Sequence, residues 1–341
     1  MIDVRATYGT DAAAIQAAYA ALPVRDGIPV GELYLSEGEY DLGATGVYLA
    51  GRVALRGDGA GTLIRYTGAG CAIGVNTETP GVGTQGFGIR DLMVDCSGLG
   101  AECIRLGQLG AGSKSAGGTI ERVILTGATG AALRCRGAQH LQCRSVRFDD
   151  NVGDGAHLGE EASNNAITFD GCRWRRNRRG LVVLNGSGIL ISGGAFEQQS
   201  EEAFLAVRDS GFGWVGSARV HMINVWFEGN CTSHPDAPDA YQLRFDALDG
   251  AASEPGTPGA HVLDNCFFSG GGGQHLHFKG GRFWVRAPRL VAPNNTSSCV
   301  APDCAPGETL IRWEDWRSYG YTWHATDIGT NVVIKGVDLG A

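Results

Sequence analysis

Nine stretches of this chain are variations on one seven-residue phrase, and that recurrence limits the fold more than any single motif. They read IRDLMVD (89–95), IERVILT (120–126), CRSVRFD (143–149), FDGCRWR (169–175), ISGGAFE (191–197), MINVWFE (222–228), LDNCFFS (263–269), VRAPRLV (285–291) and IKGVDLG (334–340). Positions one, four and six are apolar almost throughout, the signature of strands with one buried face. From residue 120 the starts lie 23, 26, 22, 31, 41 and 22 residues apart, with a last step of 49. A basal period of about 22 with insertions fits one coil of a β-solenoid, in which a repeat buries its apolar face only by stacking on its neighbours. A propeller blade needs about 40–45 residues, and a leucine-rich repeat would show a leucine/asparagine pattern that is absent here.

Each repeat predicts a second strand after a short turn: AALRC (131–135), AHLGE (156–160), LVVLN (181–185), AFLAV (203–207), YQLRF (241–245), HLHFK (275–279) and TLIRW (309–313). Between the two strands, Asn151, Asn177, Gln199 and Asn230 all stand three places after the position-six aromatic. Stacked coils would line these amides up as a ladder, each satisfying backbone groups of its neighbour. The 54 glycines suit many tight turns between short strands, and no G-X-Y period points to collagen.

The net charge of −8 and the lack of any basic run beyond RWRRNRR (173–179) argue against nucleic acid or an anionic membrane as partner. No apolar run approaches the ~18 residues of a membrane span. The N-terminus has no basic region followed by an apolar one. An extracellular or virion-associated setting then implies a leader already removed or another route of export. The ten cysteines show no metal-binding spacing. Cys143, Cys172 and Cys266 fall at core positions and read as small buried thiols. Only Cys299 and Cys304 sit close together in a polar loop and could bridge.

The N-terminal third carries a resemblance. TDAAAIQAAYAAL (10–22) reads as an amphipathic helix with a Thr10/Asp11 start. GELYLSEGEYDL (32–43) reads as strand, Gly turn and strand, and VALRGDGAGTLIRY (53–66) follows. This order resembles the start of the pectate lyase-like right-handed parallel β-helix superfamily, which includes phage tailspikes and polysaccharide lyases. The resemblance implies an all-β, single-stranded right-handed parallel β-helix whose short α-helical cap covers the open end. The expected organisation is one domain: a cap region (1–30), coils with loop insertions (31–291), and a C-terminal loop with a last coil (292–341). The approach to the helix is shorter here than is usual in that superfamily. The likeness is specific for fold and not for activity, since the superfamily holds lyases, hydrolases, epimerases and adhesins. A tailspike-like member would be a homotrimer.

Positions five and seven of the phrase face outward. Arg147, Arg173 and Trp226 form one row with Phe267 beyond, and Asp149, Arg175, Glu197 and Glu228 form a second. Such a mixture suits an extended polysaccharide or oligosaccharide: rings stack on sugar faces, arginine grips carboxylates, and acids take hydroxyls or protons. Asp149, Glu197, Glu228, Arg173 and Arg175 are the candidate catalytic groups, and Arg147, Trp226, Phe267, Asp150, Asp154 and His234 the candidate substrate contacts. As a hydrolase, Glu197 and Glu228 would sit near the ~5 Å of a retaining pair, and Asp149 and Glu197 near the ~9.5 Å of an inverting pair. As a lyase, a base would take the proton alpha to a uronate carboxylate while arginine, or calcium held by the acids, neutralises the enolate. As an adhesin the rows would only grip sugar. As plain structure they would be a surface ion-pair ladder, with each pair worth roughly 0–1 kcal/mol.

His157 and His277, on or near second strands, read as incidental. The insertions 209–217, 230–240, 246–259 and 292–307 read as loops carrying binding or assembly, three of them flanking the coils of Glu197, Glu228 and Phe267. WEDWRSYGYTWH (313–324) reads as a cap on the last coil or a subunit contact.

Overall fold

A computed structural model of the 341-residue chain describes residues 1–75, 84–107, 115–159, 164–184, 186–207, 219–233, 241–246, 261–270, 274–279, 281–291, 300–301, 309–314, 317–319 and 332–334. The strands wind into a solenoid. A 24-stranded sheet carries the seven-residue phrases and a ten-stranded sheet carries the second strands. Pairing between coils is parallel and keeps the register of the repeat. Met93, Ile124, Arg147, Arg173, Ala195, Trp226, Phe267 and Arg289 are Cα partners in succession.

Each coil bends at left-handed residues stacked in columns. Asp91, Arg122, Ser145, Asn224 and Asn265 occupy the bend inside the phrase, at φ between 49° and 56°. Gly127 (72°), Asp150 (58°), Arg176 (52°), Gln198 (57°) and Gly229 (61°) occupy the corner after it. Gly117, His140, Ala166 and Gly188 occupy the corner before it, at φ 52–66°. One left-handed residue turns a strand sharply without breaking its pairing with the coils on either side. Glycine does this free of strain, and the other residues accept a cost of roughly 1–2 kcal/mol.

Positions four and six fill the interior as the alternation predicts. Phe148, Trp174, Phe196, Phe227 and Phe268 are buried one above another, with ring centroids 4.2–5.2 Å apart and planes within 8°. The expected amide ladder is present and buried. Asn151 Nδ2 donates to Asn177 Oδ1 (2.8 Å), the Asn177 backbone N–H to Gln199 Oε1 (2.9 Å), and the Gln199 backbone N–H to Asn230 Oδ1 (3.1 Å). The eight described cysteines are free and buried. Burial pushes Cys172, Cys231 and Cys266 up to about 12, which leaves almost no thiolate at neutral pH. Cys299 and Cys304 lie outside the described residues.

The cap forms as read and closes a sheet edge. Helix Ala12–Ala20 starts at Asp11, whose side chain accepts from the Ala14 N–H at 2.7 Å. Gln16 pairs with both backbone groups of Tyr48, donating to its oxygen at 3.0 Å and accepting from its nitrogen at 3.2 Å. Tyr19 Oη does the same at Ala50, both at 3.2 Å. These side chains satisfy groups at the first strand of the ten-stranded sheet that would otherwise offer a bare edge. A shorter helix, Val4–Thr7, precedes it.

Two segments correct the sequence reading. TLIRW is not a second strand: Thr309–Glu314 pairs with Gly281–Arg286 in the larger sheet, placing Trp313 opposite Val285. Arg317–Tyr319 then continues the coil opposite Arg289–Val291. Residues 313–319 are therefore a tenth phrase, and its strands belong to a regular coil. The step of 49 residues is two steps, hidden because WEDWRSY carries the polar Ser318 at position six, where every other phrase is apolar.

Candidate functional site

The two outward rows exist where alternation and register place them. Asp149, Arg175, Glu197, Glu228 and Ser269 are successive Cα partners, so neighbours on this row stand about 4.8 Å apart. Arg175 and Glu197 lie on the same flank, with Nε 3.9 Å from Oε2.

The row divides into a cationic end and an acidic, aromatic end. At the cationic end Asp149 is 4% exposed. Its Oδ2 accepts from Arg147 Nε (2.9 Å), Arg147 Nη2 (2.6 Å) and Arg173 Nη2 (2.8 Å). With Oδ2 beneath two guanidiniums and its buried Oδ1 meeting no partner among the described residues, Asp149 suits holding those arginines in place. At the other end Trp226 is 42% exposed and stacks on Phe267 at 3.9 Å. Its Nε1 donates to Glu228 Oε2 at 2.9 Å. Between the two ends Ala195 replaces a large side chain, leaving a notch one coil wide between Arg173 and Trp226 beside the half-buried Glu197.

Asp150 and Asp154 do not join this row as contacts. Asp150 is a corner residue whose carboxylate is taken by Arg176, with Nη2 at 2.6 Å; that bond leads the causes holding it below its ordinary range. Asp154 opens strand Asp154–Leu158 of the ten-stranded sheet and is 1% exposed. The corner separates it from Asp149. The basic run 173–179 is split by the same geometry. Arg173 and Arg175 stay on the row, Arg176 holds Asp150, and Arg178 and Arg179 bind Asp154.

Burial by itself raises the Asp154 pKa, but hydrogen bonds from His157 and Arg179 and the charges of Arg179 and Arg178 overcome it and hold the carboxyl well below the usual range. A carboxyl depressed on folding contributes stability above its unfolded pKa of about 3.9 and loses it as pH falls through the folded value. Thermal midpoints should therefore drop as pH falls below about 4. Asp154→Asn should be less stable at neutral pH and show a flatter acid limb, measurable by circular dichroism melts.

His234 lies outside the described residues. So do most of the insertions, but their anchors are described. Val207 and Arg219, and likewise Asp246 and His261, lie where the second sheet hands over to the next coil. The insertion 230–240 instead starts at the amide-ladder corner directly after Glu228, with residues 230–233 described. Among the described residues no group of three or more His, Cys, Asp or Glu converges to hold a metal ion, and the arginines are the cations this face offers. Sequence reading also passed over His157 as incidental, although it is buried beside Asp154.

No protein-family model and no curated protein sequence matches the chain. Solved structures do. The A-module of a mannuronan C-5 epimerase from Azotobacter vinelandii aligns over 98% of this chain and 100% of its own, at 16% identity and a TM-score of 0.62. An alginate lyase from a Paenibacillus strain aligns over 96% of each chain, at 12% identity and a TM-score of 0.57. A tailspike capsular polysaccharide depolymerase from an Acinetobacter baumannii bacteriophage aligns over 98% of this chain and 62% of its own, at 14% identity and a TM-score of 0.55. The chain has the right-handed parallel β-helix fold, and these structural neighbours are carbohydrate-active β-helix enzymes.

Proposed function

We propose that this protein binds a polysaccharide along its stacked coils and cleaves it at the Glu197/Glu228 end of the outward row. The observation that carries this reading is the register of Arg173, Ala195, Trp226 and Phe267 beside Arg175, Glu197 and Glu228. A sugar ring can stack on the exposed indole, and the Ala195 notch leaves room for the next unit. Glu197 and Glu228, one coil apart, fit the separation of about 5 Å of a retaining pair. In the lyase version the same carboxylates face a uronate whose charge Arg173 and Arg175 neutralise.

The test is release of reducing ends, or absorbance of unsaturated products, from a panel of uronic-acid and neutral polysaccharides. Glu197→Gln and Glu228→Gln should each lower the rate at least about 100-fold, the usual scale for a lost acid–base group. Trp226→Ala should weaken oligosaccharide binding. Unaltered binding in Trp226→Ala would sink the reading. Binding by the wild type with no product from any polysaccharide would favour an adhesin, a role consistent with the capture of Asp149 and Asp150 by arginines. The reading also carries an extracellular or virion-associated setting and, for a tailspike-like protein, a homotrimer, which light scattering would weigh.

A further inference from the structure

Cys96 and Cys103 lie on either side of one corner and meet inside the solenoid. Cys96 follows strand Gly88–Asp95 of the larger sheet, and Cys103 lies in strand Glu102–Leu106 of the smaller one. The corner between them folds back on itself. The backbone N–H groups of Leu99 and Gly100 both donate to Cys96 O, at 2.9 and 3.1 Å, and Asp95 Oδ1 accepts from the Ser97 N–H at 2.7 Å. Ser97 and Gly98 make the turn, at φ 54° and 69°. The chain is thereby returned to Cys96, whose Sγ donates to Cys103 Sγ at 3.3 Å. Both residues are fully buried.

The surroundings keep the two sulfurs together. A Cβ at Gly100 would come within 3.0 Å of Cys96 Cβ and 3.1 Å of its sulfur, so the space beside Cys96 depends on the glycine. The Cys96 N–H donates to Thr126 O at 2.9 Å. The strand of Cys103 is paired on both edges, with Glu102 and Ile104 opposite Cys71 and Ile73 on one side and Ala131 and Leu133 on the other. Cys172 shows the contrast: its Sγ donates to the Cys143 carbonyl oxygen, at 3.3 Å. Among the described residues no third His, Cys, Asp or Glu converges with Cys96 and Cys103, so the pair does not read as a metal site.

We propose that Cys96 and Cys103 are a modification site, joined as an intramolecular disulfide when the chain folds in an oxidising compartment. From 3.3 Å the sulfurs close by about 1.3 Å to reach the bond length of ~2.05 Å. The co-reactant is a small-molecule disulfide such as oxidised glutathione. One cysteine thiolate attacks it, forming a mixed disulfide and releasing one glutathione thiolate. The other cysteine thiolate attacks the protein sulfur of that mixed disulfide and releases the second glutathione. Two protein thiols are oxidised, and one glutathione disulfide is reduced to two thiols, which take up the two protons. The exchange belongs to folding, because burial raises the Cys103 thiol well above its ordinary range and leaves almost no thiolate in the closed coil. The bond then ties the two sheets together at this corner. An extracellular setting would supply the oxidant, but the sulfur geometry owes nothing to the glycan reading, and the experiment sets the compartment itself, so the two can fail separately.

The experiment makes the whole chain twice, once in a reducing cytoplasm and once in an oxidising compartment. Each sample is unfolded in guanidinium with N-ethylmaleimide present, which caps free thiols, and is then digested with trypsin. Cleavage after Arg90 and Arg105 leaves a peptide, 91–105, whose two cysteines are Cys96 and Cys103. From the oxidising compartment it should be two hydrogens lighter than the dithiol and carry no cap. From the reducing cytoplasm it should carry two caps. The oxidised protein should also melt roughly 3 °C higher, the scale for closing so short a loop in a chain of this size, and Cys103→Ala should abolish that difference. Two caps on the peptide from the oxidising compartment overturn the proposal, as does a bond from Cys96 or Cys103 to a third cysteine. Equal melting of the two wild-type samples, or a difference that survives in Cys103→Ala, overturns the bond as part of the native coil.

Discussion

Trp174→Ala is expected to destabilise the solenoid by about 3–5 kcal/mol, the range for truncating a buried large aromatic. Trp174 is fully buried inside the aromatic stack, 5.2 Å from Phe148 and 4.2 Å from Phe196, with Phe169 edge-on at 5.4 Å. Removing it opens a cavity between coils that cannot close, because strands above and below are pinned by their own pairing. It also ends three ring contacts, each worth about 0.5–1.5 kcal/mol. A contrast makes the test sharp. The indole Nε1 is buried and meets no partner among the described residues, so Trp174→Phe sheds an unsatisfied donor as it sheds volume. It should cost less than about 1.5 kcal/mol. Urea titrations followed by far-ultraviolet circular dichroism would separate the two. Equal losses in both variants would show that the stack tolerates no change of shape.

Asn177→Ala should cost about 3 kcal/mol or more, although an asparagine side chain is small and polar. Asn177 Oδ1 accepts from the backbone and side-chain N–H of Asn151, at 3.3 and 2.8 Å, and its Nδ2 donates to Phe148 O at 2.8 Å. Alanine strands those groups in a corner where Asn151 and Asn177 are no more than 3% exposed. Each orphaned buried group costs about 1–3 kcal/mol. Asn165→Ala is the control: its side chain is exposed and, among the described residues, accepts only from Ser187, so the change should stay within about 0.5 kcal/mol. A hydrogen-exchange measurement would show where the loss falls, with protection dropping first at the coils of Asn151 and Gln199.

The core, the amide ladder and both outward rows were legible because alternation and spacing are local properties of the chain. Parallel register then carries them through space: once Phe148 and Trp174 occupy position six, Asp149 and Arg175 must be neighbours. What a side chain does after it is placed was not legible. Asp149 and Glu197 share a row and look alike in sequence, yet one lies under two guanidiniums and the other borders an open notch. The difference comes from Arg147, two residues away, and Arg173, one coil away. Corners were the other blind spot. RWRRNRR is a single basic run on paper, but the left-handed Arg176 and the buried Asn177 turn it, so its ends serve different sheets.

The stacked left-handed joints make each coil a removable unit. Asp150 and Arg176 hold the same backbone conformation at equivalent corners and precede Asn151 and Asn177, which do the same work. Excising 151–176 would join Asp150 to Asn177 across a junction already shaped to receive it. Gene-level gain or loss of such a segment could lengthen or shorten the outward row, and shift Glu197 one step closer to Arg147, without reinventing a turn. In a fold of this kind, specificity for chain length can evolve by cut and splice while side-chain chemistry changes on its own schedule.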